Sequence, residues 1–341
     1  MKTVSVYDSV GMVLCHDLTQ IIPGKFKGCA FKKGHIIRQE DIPQLLDMGK
    51  EHLYVWDLKQ GFVHENDAAL RIARAAAGKG ISISEPKEGK VELCASSPGL
   101  LKINTDALFR VNEQDKVMFA TIHSNQTVPA GKVVGGTRVI PLVVDSETLE
   151  GAEKLCRDNY PLIEVKPFRS IKVGVVTTGS EVYKGRIEDK FGPVIFQKIE
   201  ELGSTILRQI FVPDSVSMIS ESILKLIEEG AEMIAVTGGM SVDPDDLTPA
   251  GIKKAGGNIV TYGAPVLPGA MFMLAYIGQI PVLGLPGCVM YHKTSIFDLV
   301  VPRILAGETL TIKDISRFAH GGLCIRCTEC RYPDCAFGKG I

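Results

Sequence analysis

Between positions 170 and 305 the chain alternates short apolar runs with amphipathic stretches of helical period, and this alternation limits the fold more than any other feature. The run IKVGVV at 171–176 has the length and composition of a strand buried on both faces of a parallel sheet. Phe191, Val194, Ile195, Ile199 and Leu202 then fall on one helical face, with Gly203 as terminator. A strand is expected at 206–212, a helix at 216–229 closed by Gly230, and buried strands at 231–236 and 280–285. Helical spacing resumes over 289–305, where Pro302 should kink the last turn. Repeated strand and helix of this kind imply an α/β fold: a doubly wound, mostly parallel sheet covered on both faces.

That domain, placed at 166–308, takes less than half of the 341 residues, so smaller domains must accompany it. Positions 1–65 read as an α+β module, with a strand pair over 31–38 turning at Gly34, a helix at 41–48 that Asp41 caps and Gly49 ends, and a strand at 53–56. Positions 66–165 read as a β-rich or mixed domain that opens on a helix at 66–78 and closes on a polar helical linker at 145–159. Positions 309–341 form a cysteine-rich tail. Lys and Arg number 38 against 39 Asp and Glu, so no basic face is offered to nucleic acid. The N-terminus lacks the basic start and apolar core of a secretion signal, and no apolar run approaches the roughly 18 residues of a membrane span. A cytoplasmic protein without a membrane partner is expected.

Three of the strands run into glycine-bearing loops: TTGSE from Thr177, TGGMSVDPDD from Thr237, and LPGC from Leu285. In doubly wound sheets ligands sit at the carboxyl ends of the strands, where glycine lets backbone amides approach closely. Turns need glycine in any case, so one such loop would be weak and three successive ones are stronger. Asp243, Asp245 and Asp246 crowd the second loop. They read equally well as acidic residues in the first turn of a helix or as oxygen donors for Mg²⁺ beside a phosphate.

These loops resemble a family. Thr237, Gly238 and Gly239 with Pro244, Asp246, Thr248 and Pro249 are similar to the TGG…DxTP motif of the molybdopterin adenylyltransferases and molybdopterin molybdotransferases, the MogA and MoeA proteins. Thr178, Gly179, Ser180 and Glu181 resemble the molybdotransferase TGDE loop. Val212-Pro-Asp214 resembles the acidic turn before the second helix, and Pro286, Gly287 and Cys288 resemble the LPGNP loop. All four follow in family order over about 135 residues. The resemblance implies catalytic roles for Asp214, Asp246 and Glu181. It implies a molybdopterin and phosphate cradle at Thr178, Gly179, Ser180, Thr237, Gly238, Gly239, Ser241, Pro286, Gly287 and Cys288. Position by position there are departures: Ser180 stands where the molybdotransferases have aspartate, Cys288 replaces asparagine, and the PGKP lysine is absent from LPGAM at 267–271. Positions 34–55 resemble the molybdotransferase N-terminal pattern, without its MDGYA segment.

The tail carries Cys324, Cys327, Cys330 and Cys335 in the spacing C-x2-C-x2-C-x4-C, four of the nine cysteines in the chain. Four thiolates suit either tetrahedral Zn²⁺ or an iron–sulfur cluster, and the first three lean toward the cluster. By resemblance the protein is expected to act as a molybdotransferase that inserts molybdate into adenylylated molybdopterin with Mg²⁺ held by the carboxylates. The alternatives are a non-catalytic carrier or sensor of the cofactor docking to a molybdoenzyme, and a molybdopterin adenylyltransferase. DDLT at 245–248 also suggests the nicotinamide-nucleotide hydrolases that share this domain. The resemblance further implies a homodimer.

Overall fold

The computed structural model describes residues 2–22, 26–56, 61–140, 142–241 and 243–340. The chain divides into two compact units, one built from residues 1–97, 101–124 and 128–165 and one from residues 98–100, 125–127 and 166–341. The division falls at 165/166, whereas 65/66 and 308/309 lie inside the units.

In the first unit, Lys2–Ser5, His52–Trp56 and Val13–Leu14 form a three-stranded antiparallel sheet over Leu45, Leu53 and Val55. Ile81–Ile83, Lys90–Ala95, Val133–Val139 and Val117–Thr121 form a four-stranded antiparallel sheet. Two expectations change here. The chain does turn at Gly34, at φ +89°, but Phe26–Phe31 pairs with Leu18–Ile22, and Ile36 bridges to Val13, so 31–38 is not a hairpin. The polar helix Ser146–Asp158 is no linker. Its Leu149, Ala152 and Cys156 are fully buried beside Ala68, Ile72 and Ala76 of the helix Glu65–Ala76, because the helix has one apolar stripe that needs a partner.

The second unit is the α/β domain. In chain order it comprises β1 (Lys172–Thr178), α1 (Ser180–Tyr183), α2 (Phe191–Glu201), β2 (Thr205–Val212), α3 (Val216–Glu228), β3 (Met233–Thr237), α4 (Thr248–Lys254), β4 (Asn258–Tyr262), β5 (Met273–Ile277), β6 (Ile280–Leu285), α5 (Cys288–Tyr291), α6 (Ile296–Leu305) and α7 (Ile312–Ser316). Its six strands lie in the order β2-β1-β3-β6-β5-β4. The first four are parallel; β5 runs antiparallel to both β6 and β4. Side chains alternate across the sheet. Val173 and Val175 pack with Ile195 and Ile199 of α2 and with α6, while Val176, Ile234 and Val236 pack with Ile219, Ile223 and Leu226 of α3. Gly174 allows the second layer to close, since a Cβ there would stand 3.0 Å from Leu226.

The stretch 289–305 is two helices instead of one. His292–Thr294 break it, and Ser295 starts α6 afresh: Phe297 N–H donates to Ser295 Oγ at 3.3 Å and Ser295 N–H to Asp298 Oδ2 at 2.8 Å. Pro302 sits inside α6 and has no N–H for the Asp298 carbonyl. Tyr332 supplies the missing donor, its hydroxyl reaching that oxygen at 2.9 Å. The cysteine-rich segment is therefore built into this core, and Leu310, Ile315, Phe318 and Phe337 are buried in it.

Candidate functional site

The strand directions decide where the loops meet. β1, β2, β3 and β6 are parallel, so the segments that follow them leave from one edge of the sheet. α2 connects β1 to β2 over one face and α3 connects β2 to β3 over the other, which makes the end of β1 the switch point where such sheets bind ligands.

The turn after β2 is tied to the loop after β1. Ser180 N–H donates to Asp214 Oδ2 at 2.9 Å and Gly179 N–H to Val212 O at 3.2 Å. Gly179 holds φ +137°, a conformation that L side chains rarely adopt, and the half-buried Asp214 fixes the amide next to it. Glu181, in the single turn of α1, is exposed. The loop after β3 rests directly on the end of β1. A Cβ on Gly238, at φ +86°, would stand 2.4 Å from the Thr178 carbonyl oxygen, and one on Gly239 would stand 2.9 Å from Thr248 Oγ1. The buried Thr248 hydroxyl donates to Gly238 O at 2.8 Å and lies 3.4 Å from Thr178 Oγ1. These contacts explain the consecutive glycines: backbone must pass where a side chain has no room.

A polar floor beneath the loops was not anticipated from the sequence. Gln209 Nε2 donates to Thr177 Oγ1 at 2.8 Å and to Asp189 Oδ2 at 2.6 Å, and Thr237 Oγ1 donates to Thr177 Oγ1 at 3.2 Å. Asp189 Oδ1 in turn accepts the N–H groups of Phe191 and Gly192 at 2.9 and 3.1 Å, anchoring the start of α2. An aspartate two residues before an apolar helical run is a readable start signal. Gln209, within a strand, gave none.

The acidic loop closes on itself. Asp243 N–H donates to Asp246 Oδ2 and Asp246 N–H donates to Asp243 O, both at 3.0 Å, while Asp243 and Asp245 are exposed and Asp246 is half-buried. The Tyr262 hydroxyl donates to Met240 O and Ser241 O at 3.1 Å, and burial together with the Asp246 carboxylate pushes its pKa up. Val242 lies outside the described residues. Among those described, no three His, Cys, Asp or Glu side chains meet as a ready-made metal cage. Mg²⁺ asks for fewer groups, one or two carboxylates beside ligand phosphates, and the loop carries three in Asp243, Asp245 and Asp246.

β6 leads to buried Pro286, exposed Gly287 and half-buried Cys288. Burial pushes the Cys288 thiol up. Further along, Cys324, Cys327, Cys330 and Cys335 line a separate cavity of about 400 Å³ with Lys293, Thr294 and Tyr332. Leu267, in the LPGAM stretch between β4 and β5, donates to Gly322 O at 2.8 Å and accepts from Cys324 N–H at 2.9 Å. No helix among the described residues is long and apolar enough to cross a membrane.

Comparison with known proteins gives the loops their context. Residues 3–57 match a domain of unknown function, DUF8806, and residues 174–306 match the family described as a probable molybdopterin binding domain. A CinA-like protein of Mycobacterium sp. (strain MCS) is 34% identical over 85 residues, which cover 25% of this chain and 20% of that protein. A molybdopterin adenylyltransferase of Pyrococcus furiosus is 30% identical over 95 residues, covering 28% of this chain and 56% of that protein. The chain thus spans a fifth to about half of the length of these relatives. The solved structure of the tungsten cofactor synthesizing protein MoaB from Pyrococcus furiosus aligns at 22% identity and a TM-score of 0.34, over 40% of this chain and 96% of that one. The part of the α/β unit from 174 to 306, whose loops gather at the carboxyl edge of the sheet, is thus similar to a probable molybdopterin binding domain.

Proposed function

We propose that the carboxyl edge of the α/β sheet binds molybdopterin, or adenylylated molybdopterin, and that the protein is a molybdopterin molybdotransferase-like enzyme of molybdenum cofactor synthesis. The observation that carries this reading is the joining of three strand ends into one surface. Asp214 holds the Ser180 amide at 2.9 Å, and the Gly238 backbone lies against Thr178 with Thr248 clamping it at 2.8 Å. Glycine backbone without side chains at the strand ends lets a phosphate-bearing pterin approach the loops closely. Asp243, Asp245 and Asp246 would hold Mg²⁺, which supplies polarisation of phosphoryl oxygens and orientation of the attacking group. Molybdate would be the second substrate. Glu181, exposed beside Ser180, is free to meet the ligand.

Two other readings keep specific support. The 30% identity to an adenylyltransferase over 95 residues favours ATP-dependent adenylylation at the same loops. The LPGAM stretch at 267–271 carries no cation for an oxyanion, which favours a carrier that binds the pterin without turnover.

The deciding experiment is binding of molybdopterin to the purified full chain, followed by assays for molybdate- and ATP-dependent turnover, with Asp246→Ala alongside. Binding plus molybdate-dependent turnover that falls at least 100-fold in Asp246→Ala is expected. ATP-dependent turnover alone would assign the adenylyltransferase, binding without turnover the carrier, and absence of binding would sink all three.

A further inference from the structure

We propose that Cys324, Cys327, Cys330 and Cys335 bind a four-iron, four-sulfide cluster at the same sheet edge as the pterin loops. This inference stands on its own residues and does not require the pterin reading.

Three of the four cysteines make contacts with the α/β unit, while Cys327 and Cys330 are exposed. Cys324 is held by its main-chain bond to Leu267, and Cys330 Sγ lies 3.4 Å from the Thr294 hydroxyl. Cys324 and Cys335 pack, half-buried, against the α/β core, where the nearby Phe337 is anchored. All four cysteines line one cavity of about 400 Å³. Lys293, Arg326 and Arg331 line it as well, against one acidic residue, Glu329. Cationic walls lower the cost of gathering four thiolates around an anionic inorganic core.

Cysteine spacing favours the cluster over zinc. A single tetrahedral Zn²⁺ needs four sulfurs at about 2.3 Å from one point, and therefore about 3.8 Å from one another. All four cysteines border one cavity of about 400 Å³, which has room for a body larger than a single ion. A cluster gives each thiolate its own iron and so takes sulfurs standing farther apart around a larger body. The two-residue spacers of Cys324, Cys327 and Cys330 deliver three corners from one loop, and Cys335 supplies the fourth.

Its position follows from the strand order. β6 runs into 286–288 and then into 291–294, which line the cavity, and the Leu267 loop enters β5 where Met273 pairs with Gly284 near the carboxyl end of β6. The thiol cavity therefore adjoins the segment that continues from the LPGC loop.

The test is metal and sulfide analysis of the full chain purified without oxygen, and again after incubation with equal ferrous and ferric iron plus four sulfides per chain. That mixture matches the oxidation level of the core, so four thiols only release their protons on binding. About four irons and four sulfides per chain are expected, with less than a tenth retained in Cys327→Ser or Cys330→Ser and no change in Cys29→Ser. Iron-edge absorption spectroscopy of the unmodified protein guards against misfolded variants; it should read a sulfur shell with iron–iron scattering. One zinc without sulfide, an oxygen or nitrogen shell, equal iron in Cys327→Ser, or no metal at all would overturn the proposal.

Discussion

Gly238 and Gly287 look alike in sequence, each following the end of a strand, yet the structure asks different things of them. Gly238 holds φ +86° and leaves only 2.4 Å between an added Cβ and the Thr178 carbonyl oxygen, whereas Gly287 holds φ −54° with nothing within 4 Å. Positive φ alone costs a non-glycine residue about 1–3 kcal/mol, and the backbone contact adds to it. Gly238→Ala should therefore lower stability by about 2 kcal/mol or more in urea denaturation and weaken molybdopterin binding at least tenfold. Gly287→Ala should stay within about 0.5 kcal/mol of the unmodified protein. Equal losses in both variants would mean that the TGG glycines serve flexibility and not close approach. At this scale the sequence reads unevenly. The glycines and Asp214 were legible because turns and motifs restrict residue type. Gln209 was not, because its partners Thr177 and Asp189 are 32 and 20 positions away and only the fold brings them to it.

Helices and strands were read well wherever one apolar stripe met one terminator, as in α2 and α3, and badly where a local cap outweighed periodicity. The expected helix over 289–305 kept its apolar spacing across the break, so only the Ser295–Asp298 capping box distinguished one helix from two. Pro302 shows the same limit from the other side. A kink was expected from its missing donor, but the carbonyl it leaves open is that of Asp298, and the Tyr332 hydroxyl takes it at 2.9 Å. No sequence pattern links positions 34 residues apart in that way. Tyr332→Phe keeps the ring in place beside Phe337 and removes only that donor. A buried acceptor left without its partner costs about 1–3 kcal/mol. Urea denaturation should show that loss, together with faster hydrogen exchange in the first turn of α6, where Asp298 lies. An unchanged midpoint would mean that water replaces the hydroxyl and that the bond does not hold the tail to the helix.

The whole chain was expected to end in a metal-binding appendage after 308, a reading that followed from its four closely spaced cysteines and few large apolar residues. Few proved to be enough. Leu310, Ile315, Phe318 and Phe337 are at most 5% exposed and join the core that covers one face of the sheet, so the cysteine segment is a part of the α/β unit that happens to come last. Burying a large apolar side chain contributes about 1.5–3 kcal/mol, and four of them about 6–12 kcal/mol. That is comparable to the entire stability of an ordinary domain, about 5–15 kcal/mol. Two variants separate the structural share of this segment from its thiol chemistry. A chain ending at 308 should lose hydrogen-exchange protection throughout β1 and β3, which lie far from the cut in sequence but within the same cooperative core. A full-length chain with all four tail cysteines changed to serine keeps those apolar residues and should retain protection in both strands. If instead the truncated chain stays protected, the tail folds onto an already stable sheet. If the serine chain fails as completely as the truncated one, the thiols themselves hold the unit together.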